Sequence, residues 1–251
     1  MTCYNPFSLK DKTILITGAS SGIGRATAIE CSKLDAKVIL VGRNEDRLKE
    51  TLSLMENQDL HTYYKVDITH DDEVDELVSS LPGLNGLVNN AGMLKNYLVQ
   101  FVKRDSIEEL IGTNTIGPIL LTSKLLKKKK LLKHSSIVFT SSIGGPNIGN
   151  IANGVYSATK SAIEGFVKCA CLELAPRNIR VNTVKPGMTN TNLIQDFSVS
   201  SEELEVDKKR YPLQRYGEPR EIALGIVYLL SDAASWTTGT SLTIDGGYTA
   251  K

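Results

Sequence analysis

Seven short runs of aliphatic and β-branched residues punctuate the chain, at Thr13–Thr17, Lys37–Val41, Thr62–Val66, Gly86–Val88, Ser136–Thr140, Ile179–Val184 and Ser241–Ile244. Most are continuously apolar rather than alternating, the pattern of strands covered on both faces. Helix-length amphipathic stretches separate them, among them Gly22–Leu34, Glu45–Glu56, Asp71–Ser80 and Gly154–Ala175. Alternation of this kind predicts an α/β fold: one doubly wound, Rossmann-type domain with a seven-stranded parallel sheet, over residues 1–251. The longest stretch without a strand, 188–218, leaves after Pro186-Gly187 at a strand's C-terminal end and is expected to form a substrate lid. Within it, Ser201 followed by Glu202 and Glu203 predicts the start of a short helix.

Composition narrows the field. With 29 Lys and Arg against 28 Asp and Glu, the net charge of +1 provides no field for nucleic acid or an acidic membrane. No apolar run approaches the roughly 18 residues that span a bilayer. The N-terminus lacks a basic segment followed by an apolar one, so no signal peptide is expected and the cytoplasm is the expected compartment. Cys3, Cys31, Cys169 and Cys171 are too few and scattered for a disulfide framework.

The segment Thr17-Gly18-Ala19-Ser20-Ser21-Gly22-Ile23-Gly24 follows the first strand and opens into a helical pattern. Gly18 permits a tight turn, Gly22 lets backbone approach a ligand, and Gly24 lets helix and sheet pack closely. Unpaired N–H groups at the helix start suit a pyrophosphate. At the end of the second strand, Gly42 stands where an acid would grip a free ribose 2′-hydroxyl, and Arg43 follows. An arginine pairs with a 2′-phosphate, so NADP(H) is expected over NAD(H). The alternatives are that Arg43 only solvates a loop, with Glu45 or Asp46 serving as the acid.

Tyr156 and Lys160 are four apart on a helical pattern and so share a face. A nearby ammonium favours the phenolate and brings a phenol near pKa 10 toward the working range. Ser141 and Ser142 follow the fifth strand, at the sheet edge that bears the glycine loop, where a hydroxyl can hold a substrate carbonyl. A hydrolase lacks a base: His61, His70 and His134 are not placed for one and are expected at the surface. No Cys or His pair has zinc-ligand spacing, and Cys169 and Cys171 are expected to pack a helix.

Taken together, the residues resemble the short-chain dehydrogenase/reductases over essentially the whole chain. The matches are TGASSGIG at Thr17–Gly24, Asp67-Ile68, NNAG at Asn89–Gly92, TNTIG around Asn114, SSIGG, YSATK, Pro186-Gly187 and the terminal GTSLTIDGG. The resemblance implies a catalytic tetrad of Asn114, Ser142, Tyr156 and Lys160. Ser142 is chosen over Ser141 because the family serine stands three residues before a loop glycine, here Gly145. Ser142 would hold the substrate oxygen, Tyr156 would donate the proton, and Lys160 would lower the Tyr156 pKa and bind the nicotinamide ribose. Asn114 would hold a water in the proton relay. For the cofactor the resemblance implies Gly18, Ser20, Ser21, Gly22, Ile23 and Gly24 around the pyrophosphate, and Arg43 at the ribose. Asp67 and Ile68 would meet the adenine, Asn90, Ala91 and Gly92 would flank the nucleotide, and Pro186, Gly187 and Thr189 would reach the carboxamide. Tyr156 stands 14 positions after Ser142, one more than usual in the family, and the loop Gly144–Gly154 absorbs the difference.

The segment from Tyr211 to Ala223 resembles the β-ketoacyl–acyl-carrier-protein reductases. That implies an NADPH-dependent carbonyl reductase, working also as an alcohol dehydrogenase, on 3-oxoacyl thioesters held by acyl carrier protein. Lys127–Lys130 and Lys133, with Arg177, would dock the carrier near the active-site mouth; a solvated helix end is the plainer reading of the lysines. Leu94-Lys95-Asn96 departs from the Arg-Asp pair common in such reductases. The alternatives are an NAD(P)-dependent dehydrogenase of a sugar, steroid or small secondary alcohol, and a non-catalytic NADP(H) sensor. Apolar positions on the two long helices, including Ile116, Ile119, Leu120, Ile163, Phe166 and Val167, lead to an expected homotetramer of 222 symmetry, although burial within one subunit accounts for part of them.

Overall fold

A computed structural model describes residues 4–191 and 201–250. Its strands are β1 (Thr13–Thr17), β2 (Lys37–Gly42), β3 (Thr62–Lys65), β4 (Leu84–Asn89), β5 (Leu131–Thr140), β6 (Arg180–Pro186) and β7 (Ser241–Ile244). Its α-helices are α1 (Gly22–Lys33), α2 (Glu45–Ser53), α3 (Asp71–Ser80), α4 (Arg104–Ile111), α5 (Gly117–Lys127), α6 (Gly154–Leu174), α7 (Ser201–Lys208) and α8 (Pro219–Leu230). The strands form one parallel sheet in the order β3-β2-β1-β4-β5-β6-β7.

Successive strand residues point to opposite faces, so each apolar run feeds two cores. Leu15, Ile39, Leu87 and Phe139 meet α3, α5 and α6 through Leu77, Leu125 and Ile163. Ile14, Ile16, Leu40 and Val138 meet α1, α2 and α8 through Ala28, Leu48 and Ile226. The strand order reverses between β1 and β4, and the chain leaves these two strands in opposite directions at their C-terminal ends. A crevice opens there, where sheets of this type bind ligands.

All seven expected strands are present, with shifted ends. β5 begins at Leu131, five residues before the apolar run, because the β4–β5 pairing contains an irregularity that accommodates the polar Lys133 and His134. His134 itself has φ 64°. Helices α4 and α5 join through a π-helical turn at Gly112–Ile116. Of the expected lid, α7 does start at Ser201, while 192–200 lie outside the described residues. Its stem closes where Gly217 N–H donates to Met188 O at 2.9 Å and Asn190 N–H to Gly217 O at 2.8 Å.

Several expectations need correction. His61 is buried, not a surface residue: its Nδ1 accepts from Val38 N–H at 3.1 Å and its Nε2 lies 2.7 Å from Glu56 O. Burial pushes its pKa below the ordinary value. Cys171 packs α6 as expected, but Cys169 is exposed. Ile163 and Val167 are buried in the chain's own core, whereas Ile116 and Leu120 remain open. Lys127–Lys130, Lys133 and Arg177 lie at the N-terminal ends of β5 and β6. Within one chain they therefore occupy the sheet edge opposite the crevice and do not border its mouth. There Lys130 is held by Leu81 O, and Arg177 donates to Leu131 O at 2.6 Å.

Candidate active site

The crevice is a cleft of about 890 Å³ along the C-terminal edge of the sheet. Every site residue expected from the sequence lines it except Gly24 and Asn114, which lie one layer behind.

At one end the β1–α1 turn passes beneath the β4 end. Gly18 has φ 65°, and a Cβ there would stand 2.8 Å from Ala91 Cα, so only glycine fits. A Cβ on Gly24 would collide with the Gly18 carbonyl, which is why the helix can cross so close. Ser21 occupies the N-cap of α1 without a side-chain cap, leaving first-turn N–H groups for a ligand. Asn90 and Ala91 N–H groups donate to Thr17 Oγ1, each at 3.0 Å. Asn90 Oδ1 accepts from Thr140 Oγ1 at 3.2 Å, tying the loop to β5. Arg25, just after the glycines, grips Glu50 at 2.8 and 2.7 Å and Ser20 O at 2.8 Å, bracing the loop from behind.

Beyond β2, Arg43 is largely solvent-facing, with Nη1 3.9 Å from Asp67 Oδ2. Burial pushes the Asp67 carboxyl up, but bonds from Thr69 and the Arg43 charge outweigh it and hold the group below its ordinary value. Neither Glu45 nor Asp46 lines the cleft; Glu45 instead takes Lys49 at 2.8 Å and Tyr63 Oη at 3.2 Å. Arg47 does line it, four residues after Arg43. The sequence reading missed Arg47, although the spacing across the α2 N-terminus was available.

At the other end, Lys160 is buried and donates to Thr140 O at 2.8 Å, with Nζ 5.8 Å from the Tyr156 ring centroid. Burial lowers its pKa to about 8. Burial also raises the Tyr156 phenol, and a hydrogen bond from Ser142 only partly offsets this. The sequence argument expected Lys160 to lower the phenol; in the protein alone, desolvation of both groups dominates and the phenol is pushed up instead. Ser141 turns its hydroxyl to Lys160 O at 3.4 Å, leaving Ser142 to meet the phenol; Ser142 Oγ also accepts from Gly144 N–H at 3.0 Å.

The π turn swings Asn114 inward. Its Oδ1 accepts from Met93 N–H at 2.8 Å and its Nδ2 donates to Met93 O at 2.9 Å and to Thr159 Oγ1 at 3.2 Å, which leaves the second Oδ1 lone pair for a further donor. A Cβ on Gly92 would stand 3.3 Å from Asn114 Oδ1 and 3.5 Å from Lys160 Nζ, so the glycine keeps open the space these two groups share. Ile143 N–H donates to Pro186 O at 3.1 Å and Gly187 N–H to Ile244 O at 3.0 Å, fixing the β6 end. The buried Thr189 donates its hydroxyl to Gly187 O at 3.0 Å. Asn150, Asn153, Met188 and Tyr211 complete this end; Met188 and Tyr211 fall in the segment expected to form a lid, whereas Asn150 and Asn153 were not singled out in the sequence.

These residues fit a nicotinamide dinucleotide. The glycine cradle would receive a pyrophosphate, the arginines would face the adenosine end, and Tyr156, Lys160 and Ser142 would face the other.

Comparison with known proteins agrees with the geometry. Residues 18–249 match the sequence model of a family described as Enoyl-(Acyl carrier protein) reductase. L-xylulose reductase of Caenorhabditis elegans is 33% identical over 250 residues, covering 96% of this chain and 97% of that protein. The 3-oxoacyl-[acyl-carrier-protein] reductase FabG of Rickettsia felis is 34% identical over 239 residues, with coverage of 95% and 97%. A solved Agrobacterium tumefaciens protein with bound NADP superposes with a TM-score of 0.89 at 27% identity, covering 99% of this chain and 100% of that one. With fold, site and relatives in agreement, the chain belongs to the short-chain dehydrogenase/reductase family of NAD(P)-dependent oxidoreductases.

Proposed function

We propose that the protein is an NADP(H)-dependent carbonyl reductase, working reversibly as an alcohol dehydrogenase on a small-molecule substrate. The observation that carries this reading is the convergence of Ser142, Tyr156 and Lys160 on one wall of the cleft, with the glycine cradle at its far end. When bound, the nicotinamide coenzyme supplies the hydride. Ser142 holds the substrate oxygen as it gains negative charge. The buried, neutral Tyr156 donates the proton to that oxygen. Lys160 stabilises the resulting phenolate and binds the nicotinamide ribose. Asn114, beside the space in front of Gly92, keeps a water in line to return the proton through Lys160.

Preference for NADP(H) is supported by Arg43 and Arg47 on the cleft wall, by Gly42 in place of an acid, and by Glu45 being engaged elsewhere. A relative with bound NADP agrees. The acyl-carrier-protein activity of the FabG relatives makes 3-oxoacyl thioesters one substrate class to assay. Self-association into a homotetramer is supported by the open apolar residues Ile107, Ile116 and Leu120 along α4 and α5. Among the described residues no helix is long and apolar enough to cross a membrane. The free thiols of Cys31 and Cys169 suit the reducing cytoplasm proposed as its location.

The test is NADPH oxidation with a panel of ketones and a short β-ketoacyl thioester, run beside Tyr156→Phe. Turnover lost in the variant, with NADPH affinity within a few-fold of wild type, is expected. Unchanged turnover in the variant refutes the mechanism. NADPH binding without turnover of any substrate favours a nucleotide sensor instead.

A further inference from the structure

Strand β6 leaves the sheet through Pro186-Gly187-Met188-Thr189, the stretch expected against the nicotinamide end. Three of its backbone groups are held by other backbone. Ile143 N–H donates to Pro186 O at 3.1 Å, Gly187 N–H to Ile244 O at 3.0 Å, and Gly217 N–H to Met188 O at 2.9 Å. The Met188 N–H is held differently. It donates to a side chain, the Tyr211 hydroxyl, at 3.2 Å.

Tyr211 lies in a slot shaped for its ring, with only 3% of the residue exposed. A Cβ on Gly187 would stand 3.3 Å from Tyr211 Cε1, and one on Gly246 would stand 3.6 Å from Tyr211 Cδ1, so two glycines border the ring. Tyr216 meets it edge-on, with centroids 5.6 Å apart and planes at 87°, and the Tyr248 ring lies 4.7 Å away. Burial pushes the Tyr211 phenol up to about 12, so it stays neutral and keeps its lone pair on the Met188 N–H. Tyr216 donates its own hydroxyl elsewhere, to Asp207 Oδ2 of α7 at 3.0 Å.

The held stretch borders both partners of the reaction. Its first residue takes the N–H of Ile143, the neighbour of Ser142. Its last, Thr189, is bonded to Gly187 O through its hydroxyl, and Met188 stands between the two. We propose that Tyr211 is a positioning residue for hydride transfer, acting through Met188 rather than on the substrate itself. Its hydroxyl removes slack from the β6 end, so that the nicotinamide is presented in register with the oxygen that Ser142 holds. The inference rests on the reductase reading and adds a residue to the same site.

Tyr211→Phe keeps the ring in its slot and leaves the Met188 N–H without its acceptor. With the ketone of the panel that wild type reduces fastest, kcat is expected to fall by about 3- to 30-fold, because small misplacements of bound reactants are costly. KM for NADPH is expected to stay within about twofold, since the glycine cradle and the arginines are untouched. The isotope effect with NADPH deuterated at the transferred position should rise. The shape of the pH profile should not change, because Tyr211 does not titrate near neutrality. A readout independent of turnover is the emission of bound NADPH, which reports the surroundings of the nicotinamide and should shift toward that of free coenzyme. Tyr216→Phe controls for simple loosening of the aromatic cluster, and its kcat is expected to stay within about twofold of wild type. Two results overturn the inference while leaving the reductase reading intact. One is a Tyr211→Phe variant with kcat, isotope effect and emission unchanged; the other is an equal loss of kcat in Tyr216→Phe. Failure of wild type to reduce any carbonyl while NADPH binds overturns the reductase reading, and this inference with it.

Discussion

Coenzyme choice offers the sharpest quantitative test, because a substitution at each of two adjacent positions should move it. Arg43 is the principal cation available to a ribose 2′-phosphate. Its link to Asp67 is long, at 3.9 Å, and its side chain is mostly in solvent, so little is lost when it turns to a ligand. A hydrogen bond to a charged partner contributes about 1.5–3 kcal/mol when well formed; solvent exposure here reduces this to about 1–2 kcal/mol. Arg43→Ala is thus expected to lower the NADPH/NADH ratio of kcat/KM by about 5- to 30-fold, while NADH turnover changes little. Removing Arg43 also uncovers the Asp67 carboxylate, which adds repulsion in the same direction. Gly42→Asp is the complementary change. A Cβ on Gly42 meets Leu48 Cδ2 at 3.4 Å and Ser20 Oγ at 3.6 Å, ordinary contacts, so the residue fits. Its carboxylate would accept from a ribose 2′-hydroxyl and repel a phosphate. The double variant Gly42→Asp/Arg43→Ala is expected to prefer NADH. Steady-state kinetics with both coenzymes, repeated at two salt concentrations, measures each ratio. A ratio unmoved by Arg43→Ala would show that the 2′-phosphate lies elsewhere and refute the reasoning.

Other expectations concern titration and strain. Lys160 has its folded pKa near 8 against about 10.4 unfolded, so between those values the unfolded chain holds the extra proton and stability rises with pH. Urea denaturation of the coenzyme-free protein at pH 7.5 and 9.5, compared with Lys160→Met, should show that rise in wild type and lose it in the variant. Ala152→Gly removes the left-handed strain at Ala152, and denaturation should show a gain of up to about 1 kcal/mol. A loss of stability there would mean that the loop conformation is not strained.

The architecture was readable because each strand is a continuous apolar run flanked by turn residues, and burial on both faces requires that pattern. The glycine loop and the Tyr156–Lys160 pair were readable because their chemistry depends on local spacing. Features set by distant chain segments were not. His61 is buried because the β2 backbone reaches across to its ring nitrogen, which no local pattern records. The inward placement of Asn114 depends on one π turn inside an otherwise regular helical stretch. Asn150 and Asn153 lie in a loop whose path is decided by Tyr97, more than 50 residues earlier. The lysines near 130 looked like a docking patch in one dimension, but parallel topology carries them to the far edge of the sheet.

The bonds among Thr17, Asn90, Thr140 and Lys160 have a consequence for how such a protein diversifies. Thr17 receives the Asn90 N–H, Asn90 receives the Thr140 hydroxyl, and Thr140 O receives Lys160 Nζ. These bonds tie the glycine loop to Lys160 of α6 across the ends of β1, β4 and β5, and none of the four residues belongs to the segments that shape the substrate mouth. Those segments, at 94–98, 146–153 and 201–217, can lengthen or change residue without breaking the bonds among these four residues. The extra residue between Ser142 and Tyr156 is one such change, tolerated because the gauge that matters for hydride transfer is measured elsewhere.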